Sequence, residues 1–160
     1  MGNEFMKLVY YCYGGAHTSV TCAAIHLKYL PYERVPSAKE FQSVPFYDKM
    51  ENSRLGTPVY VGRDELGLDI YIMGMKNSNT FLIPLIKSYL NHCGKRHDDL
   101  IFVNARVRLH PITSIGGFIT RKLGIVTIGR PMTVWGIRRT YPVLLDLVKG
   151  VKEKLRSARD

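Results

Sequence analysis

The sequence predicts an open three-layer α/β sandwich with a mostly parallel sheet, Rossmann-like or P-loop-like, into which a β-hairpin is inserted. Short apolar runs alternate with segments of helical period in the order β-α-α-ββ-α-β-α-β-α. Alternation of that kind implies parallel strands joined by right-handed crossovers. The first run ends at a glycine pair and leads straight into a helical pattern. Size is the third observation: 160 residues, 46% hydrophobic and 22% charged, suit one α/β domain over 1–160. A chain of this length buries roughly 70% of its unfolded surface without staples.

Lys7–Tyr13 (KLVYYCY) is an apolar, aromatic run that stops at Gly14-Gly15, the pattern of a buried strand followed by a tight loop. Val20, Ala23, Ala24, Leu27 and Leu30 then recur at helical spacing until Pro31. Ser37-Ala-Lys-Glu40 has capping-box spacing and opens a short helix that must end before Pro45. Residues 45–57, polar with Pro and Gly, connect to a hairpin of Pro58–Gly62 and Asp69–Met73. Ser78 or Asn79 caps a helix through Leu82, Leu85, Ile86, Tyr89 and Leu90, ended by Gly94. Pro84 should delay or kink its start. Leu100–Val103 reads as a second buried strand, Pro111–Gly124 as a helix and Ile125–Ile128 as a third buried strand. Thr140-Tyr-Pro142 starts the last helix, with Leu144, Leu147, Val148, Val151 and Leu155 on one face.

Several classes fall away on composition. Apolar runs reach about seven residues, against the ~20 of a membrane span. The first seven residues lack the basic-then-apolar order of a signal peptide, and Cys12, Cys22 and Cys93 show no CxxC spacing. A cytoplasmic protein without a membrane partner is the expectation. His17, His26, His92, His97 and His110 form no ligand pattern, so no structural metal is expected.

The net charge of +10 is lopsided. Residues 1–90 carry nine basic and eight acidic side chains, residues 91–160 fourteen and five. A basic half attracts anionic partners. Lys149, Lys152, Lys154, Arg156 and Arg159 equally suit the wet face of a terminal helix, while Arg106, Arg108, Arg130, Arg138 and Arg139 lie beside expected strands and loops.

Cys12-Tyr-Gly-Gly-Ala-His-Thr-Ser19 carries most of the chemical information. Strand, glycine turn and helix together expose several unpaired N–H groups at the positive end of a helix dipole. Gly14, Gly15 and the small Ala16 let the backbone close around a ligand, and Thr18 and Ser19 add hydroxyls. Such a loop suits phosphate or another oxyanion. The alternative is a plain βα turn in which Thr18 or Ser19 only caps the helix. Cys12 is either a nucleophile whose thiolate the helix end favours or a small buried hydrophobe.

Gly14–Ser19 resembles the second half of a Walker A loop, with His17 at the lysine position and the earlier glycine missing. Cys12, Gly15, Thr18 and Ser19 match C-x-x-G-x-x-T-S, the loop of cellobiose/lactose-type IIB phosphotransfer proteins. That resemblance stops at residue 31, and it implies a cysteine that accepts a phosphoryl group. Gly-Gly-Ala-His is also similar to the glycine loop of two-domain glycosyltransferases, a reading that would need a partner chain. Over most of residues 6–153, YYCYGGAHTSVTCAAIHL, YVGRDELGLDIYIMG and GRPMTVWGI resemble an uncharacterised domain family of spore-forming Gram-positive bacteria. This resemblance implies a bacterial cytoplasmic setting and assigns no catalytic residue.

Asn104, Arg106 and Arg130 follow expected strands and are placed to face an anion held by Gly14–Ser19. His110, Thr113-Ser114 and Gly116-Gly117 mark a second loop of interest. Asp64, Glu65 and Asp69 read as solvated turn residues, His26 as an edge-of-core residue, and Trp135, Tyr10, Tyr11 and Tyr13 as packing. The expected function is binding of a nucleotide or phosphometabolite, with Cys12 or His17 as nucleophile or proton carrier in phosphoryl transfer. Magnesium would accompany a nucleotide. The alternative is a non-catalytic protein whose basic half binds an acidic protein or nucleic acid. The hairpin edge and the Leu144–Leu155 face suit a homodimer as well as a core.

Overall fold

The computed structural model describes residues 6–106 and 126–158. A four-stranded sheet is formed by β1 (Lys7–Cys12), β2 (Val59–Arg63), β3 (Asp69–Gly74) and β4 (Leu100–Asn104), in the order β2-β3-β1-β4. β1 runs parallel to both β3 and β4, and β2 is antiparallel to β3 with an irregularity between Tyr60 and Gly62. The hairpin is built into the sheet itself. Its second strand is central to the sheet, with Ile70, Ile72 and Met73 fully buried.

Helices lie on both faces, as an open α/β sandwich requires. Strand alternation sends Leu8, Tyr10, Cys12, Ile70 and Ile72 to one face, where α1 (Thr18–His26), α2 (Ala38–Ser43) and α4 (Val126–Ser157) cover them. Val9, Tyr11, Met73 and Met75 point to the other, beneath Leu82, Ile83 and Ile86 of α3 (Asn79–His92). All nine residues of α1 are buried, and its small side chains let it sit between sheet and α4. Among the described residues no helix is long and apolar enough to cross a membrane.

Two local signals act as read. Ser37 Oγ accepts the Glu40 N–H at 3.3 Å while the Glu40 carboxylate accepts the Ser37 N–H at 2.7 Å, the reciprocal capping box. Gly94, at φ +67°, closes α3 with its own N–H on Asn91 O and the Lys95 N–H on Leu90 O. Pro84 does not delay α3, which begins at Asn79.

The C-terminal third differs from expectation. Val126–Ile128 is helical rather than a strand, and the residues that follow, from Gly129 on, continue the same helix. α4 spans 32 residues, about 48 Å. Pro142 sits in its interior rather than at its start. The reason is burial. Val134, Ile137, Tyr141, Leu144 and Val148 recur every three or four residues, Leu155 follows two turns on, and all are in the core. That stripe outweighs the poor helix propensity of Gly129, Pro131 and Gly136. The expected helix Pro111–Gly124 lies outside the described residues, as do Arg108, His110, Thr113-Ser114 and Gly116-Gly117.

Candidate functional site

The parallel strands stand in the spatial order second, first, third. The connection leaving β1 packs α1 on one face, and the one entering β4 packs α3 on the other. In doubly wound sheets the crevice at such a reversal, beyond the carboxyl ends of the strands, is where ligands bind. Here it is flanked by the loop after β1 and by Asn104–Arg106 after β4.

The loop is gathered around sulfur. Cys12, 6% exposed at the end of β1, has its Sγ 3.1 Å from the Gly15 N–H and 3.2 Å from Ser19 Oγ. The Thr18 hydroxyl and the Ser19 N–H act on the thiol in the same direction. Burial pushes the thiol's pKa up, but these donors together outweigh it and hold it below the ordinary value. Cys22, within α1 about one turn beyond Ser19 and without such donors among the described residues, is pushed up by burial. Burial acts on both thiols, and the donors gathered around Cys12 set the two apart. Beyond the sulfur, the N–H groups of Ala16, His17 and Thr18 make no backbone hydrogen bond to another described residue. They are successive donors at the N-terminus of α1.

Gly15 is dictated by packing as well as by the ligand argument. Its φ is +69°, and a Cβ there would stand 2.7 Å from Gly74 N. Reciprocally, a Cβ on Gly74 would stand 2.8 Å from Gly14 C. The two backbones touch because both sides are glycine. Met75 N–H and Lys76 N–H donate to Cys12 O and Tyr13 O, clamping the loop to the chain after β3. Gly74 was not singled out from the sequence; its signal is a glycine ending an apolar strand.

His17 caps α1, and its carbonyl accepts both the N–H and the hydroxyl of Thr21 at 2.8 Å. Its Nε2 lies 3.1 Å from Asp48 Oδ1, and its ring meets Tyr47 edge-on at 5.6 Å. The Asp48 carboxylate is 1% exposed and the His17 side chain 12%. Asp48 is the other residue at the candidate site that sequence reading missed, being one acid in a polar, Pro-containing loop.

Arg106 stacks over Tyr13 at 5.8 Å and reaches Asn77 Oδ1 at 3.5 Å; Asn104 Oδ1 accepts its backbone N–H at 2.9 Å. Its Nε and Nη2 are buried with no hydrogen-bond partner among the described residues. Those two nitrogens form one edge of the guanidinium, the edge that grips a carboxylate or phosphate in bidentate fashion. Arg106 thus borders the loop through Tyr13, while Cys12 and His17 make contacts of their own. The strand end expected to aim Arg130 at the loop does not exist, since Arg130 lies within α4.

Other expectations need correction. His26 is fully buried, with Nδ1 2.8 Å from Tyr10 Oη and Nε2 2.9 Å from Asp64 Oδ2. Asp64 is no solvated turn residue, because its other oxygen accepts the Leu66 and Leu68 N–H groups and ties the β2–β3 turn to α1. Asp69 is likewise held by Arg63 at 2.7 Å. Lys152 is turned inward, donating to His26 O at 2.9 Å and pairing with Glu65 at 2.8 Å. Tyr10 and Tyr11 are packing residues, whereas Tyr13 and Trp135 are exposed and carry Arg106 and Arg139 on their faces.

Fold and site together define an open α/β protein with a cysteine-bearing glycine loop at the switch of its sheet. The chain belongs to the family described as Protein of unknown function (DUF3189), whose model matches residues 7–153. No curated protein and no solved structure matches it.

Proposed function

We propose that this protein binds a phosphate-containing small molecule, a nucleotide or phosphometabolite, at Cys12–Ser19 and takes its phosphoryl group onto Cys12. The observation that carries the reading is the Cys12 cradle. Donors converge on a buried sulfur and lower its pKa against the pull of burial. A thiolate so held is a nucleophile at a helix N-terminus. The N–H groups of Ala16, His17 and Thr18 supply donors for phosphoryl oxygens, and the buried, unpartnered edge of Arg106 supplies a counter-charge nearby. In the reaction the Sγ–P bond forms, the bond from phosphorus to the leaving oxygen breaks, and that oxygen takes a proton from solvent. The match of Cys12, Gly15, Thr18 and Ser19 to the IIB phosphotransfer loop agrees with this chemistry. A bacterial, cytoplasmic setting belongs to the same proposal.

Thermal unfolding against phosphate, sulfate, nucleotides and sugar phosphates at fixed ionic strength tests it. A ligand at a hundred times its Kd stabilises by about 2.7 kcal/mol. At this chain length that is a midpoint rise of about 5–10 °C. The rise should be selective and lost in a folded Arg106→Ala or His17→Ala variant. No shift with any of these anions would refute the reading.

A further inference from the structure

We infer that Asp48 is a positioning residue that fixes the ring of His17, holding its proton on Nε2 and leaving Nδ1 to accept a proton at the Cys12–Ser19 cradle. The inference rests on the proposed function and extends it to the release of the phosphoryl group.

The geometry constrains the ring from three sides. Nε2 lies 3.1 Å from Asp48 Oδ1, the Tyr47 ring stands edge-on at 5.6 Å, and the backbone of His17 is pinned as the cap of α1 by Thr21. A carboxylate only accepts hydrogen bonds, so the neutral imidazole facing it carries its proton on Nε2. No described residue lies within hydrogen-bond distance of Nδ1, whereas His26, fully buried, has both ring nitrogens bonded. His17 keeps 12% of its side chain exposed.

Asp48 is held in place at some conformational cost. It is a non-glycine residue at φ +54°, two positions after Phe46 at +66°. Its N–H donates to Ala16 O at 3.1 Å, so the strained segment is laced to the glycine loop itself. Left-handed residues that persist beside a site of reaction are a recognised mark of pre-organisation. The burial of the carboxylate strengthens its pull on an imidazolium.

The step follows the logic of nucleophile, base and orienting acid. Water attacks the phosphorus of phospho-Cys12. The O–P bond forms as the S–P bond breaks, and the electron pair returns to Sγ as thiolate. The proton of the water passes to Nδ1, and the resulting imidazolium pairs with Asp48. The products are inorganic phosphate and the restored thiolate.

Long-range proton–nitrogen spectra of the full 15N-labelled chain, with inorganic phosphate as the probe, decide the matter. Neutral His17 should show a protonated Nε2 and a bare Nδ1. Phosphate should move the Nδ1 resonance more than Nε2, together with the Gly14–Ser19 amides. In Asp48→Asn, which tolerates the left-handed backbone, the two tautomers should mix while the amide spectrum stays folded. A protonated Nδ1 in the native chain, or an unchanged tautomer in Asp48→Asn, overturns the inference. If the loop amides respond to phosphate and Nδ1 does not, the inference fails and phosphate binding stands. If neither responds, the proposed function fails and the inference falls with it. Should Asp48→Asn not fold, the native tautomer and its phosphate response decide alone.

Discussion

Gly15→Ala separates the packing role of the glycine loop from its conformational role. At φ +69° an L side chain costs roughly 1–2 kcal/mol. The new Cβ would also stand 2.7 Å from Gly74 N and 3.1 Å from Gly74 Cα, which are backbone atoms that no rotamer change moves aside. Forcing them apart adds about 1–3 kcal/mol, the usual penalty of overpacking. The sum, roughly 2–5 kcal/mol, corresponds to a midpoint fall of about 4–20 °C in a chain of this size. Gly94→Ala is the matched control, because its φ is +67° and nothing lies within 4 Å of a Cβ there. It should pay only the conformational term, roughly 1–2 kcal/mol. Thermal unfolding of both variants by circular dichroism measures the difference. A Gly15→Ala midpoint no lower than that of Gly94→Ala would refute the claim that the loop is set by contact with Gly74.

Three further outcomes are expected. Ser19→Ala removes one of the two Ser19 contributions at Cys12 Sγ, the hydroxyl, and leaves the N–H, so the thiol's pKa should rise; the pH dependence of the Cys12 Cβ chemical shift reads this, and an unchanged or lower value would contradict it. Burial lowers the pKa of His26 despite the opposing bond from Asp64, so the unfolded chain takes up a proton near pH 6.5 that the folded chain refuses. The resulting stability is complete above about pH 6.5 and is lost as pH falls from there toward the folded value, at up to about 1.4 kcal/mol per pH unit; urea unfolding from pH 7.5 down to 5 should show the slope, and His26→Gln should remove it. Lys152→Ala removes the shortest of three ion pairs to Glu65, leaving Lys28 and Arg156 at 3.7 Å, and takes the Lys152 donor from the His26 carbonyl; because Glu65 is 35% exposed the cost is discounted to roughly 1–3 kcal/mol; chemical denaturation measures it, and a neutral result would contradict a structural role for the inward-turned Lys152.

Legibility in the sequence followed the range of the signal. The strand–glycine–helix opening, the Ser37–Glu40 box and the Gly94 stop are written in neighbouring residues, and they form, although α1 stops at His26 rather than running to Pro31. α4 was obscured at its start because Ile125-Val-Thr-Ile128 is β-branched and too short to reveal a period. Glycine and proline at 129, 131 and 136 then imitate a loop, and only the packing of Val134, Ile137 and Tyr141 against α1 and α2 makes a helix worthwhile. At the site, Cys12, Gly15, Thr18 and Ser19 were legible because one loop holds them all. Asp48 and Gly74 were not, since each meets that loop across long sequence separations through contacts that only the fold creates. The same holds for Asp64 and Lys152, charged residues that look solvated until His26 is seen between them.

The central claim is that Cys12 takes a phosphoryl group, and the most direct measurement is mass spectrometry of the intact chain and its peptides after exposure to acetyl phosphate and to sugar phosphates. The account requires one added phosphoryl group on the Cys12 peptide, absent in Cys12→Ser and more persistent in Asp48→Asn. No phosphoryl group on Cys12 with any donor, or one found on exposed Cys93 instead, would contradict it.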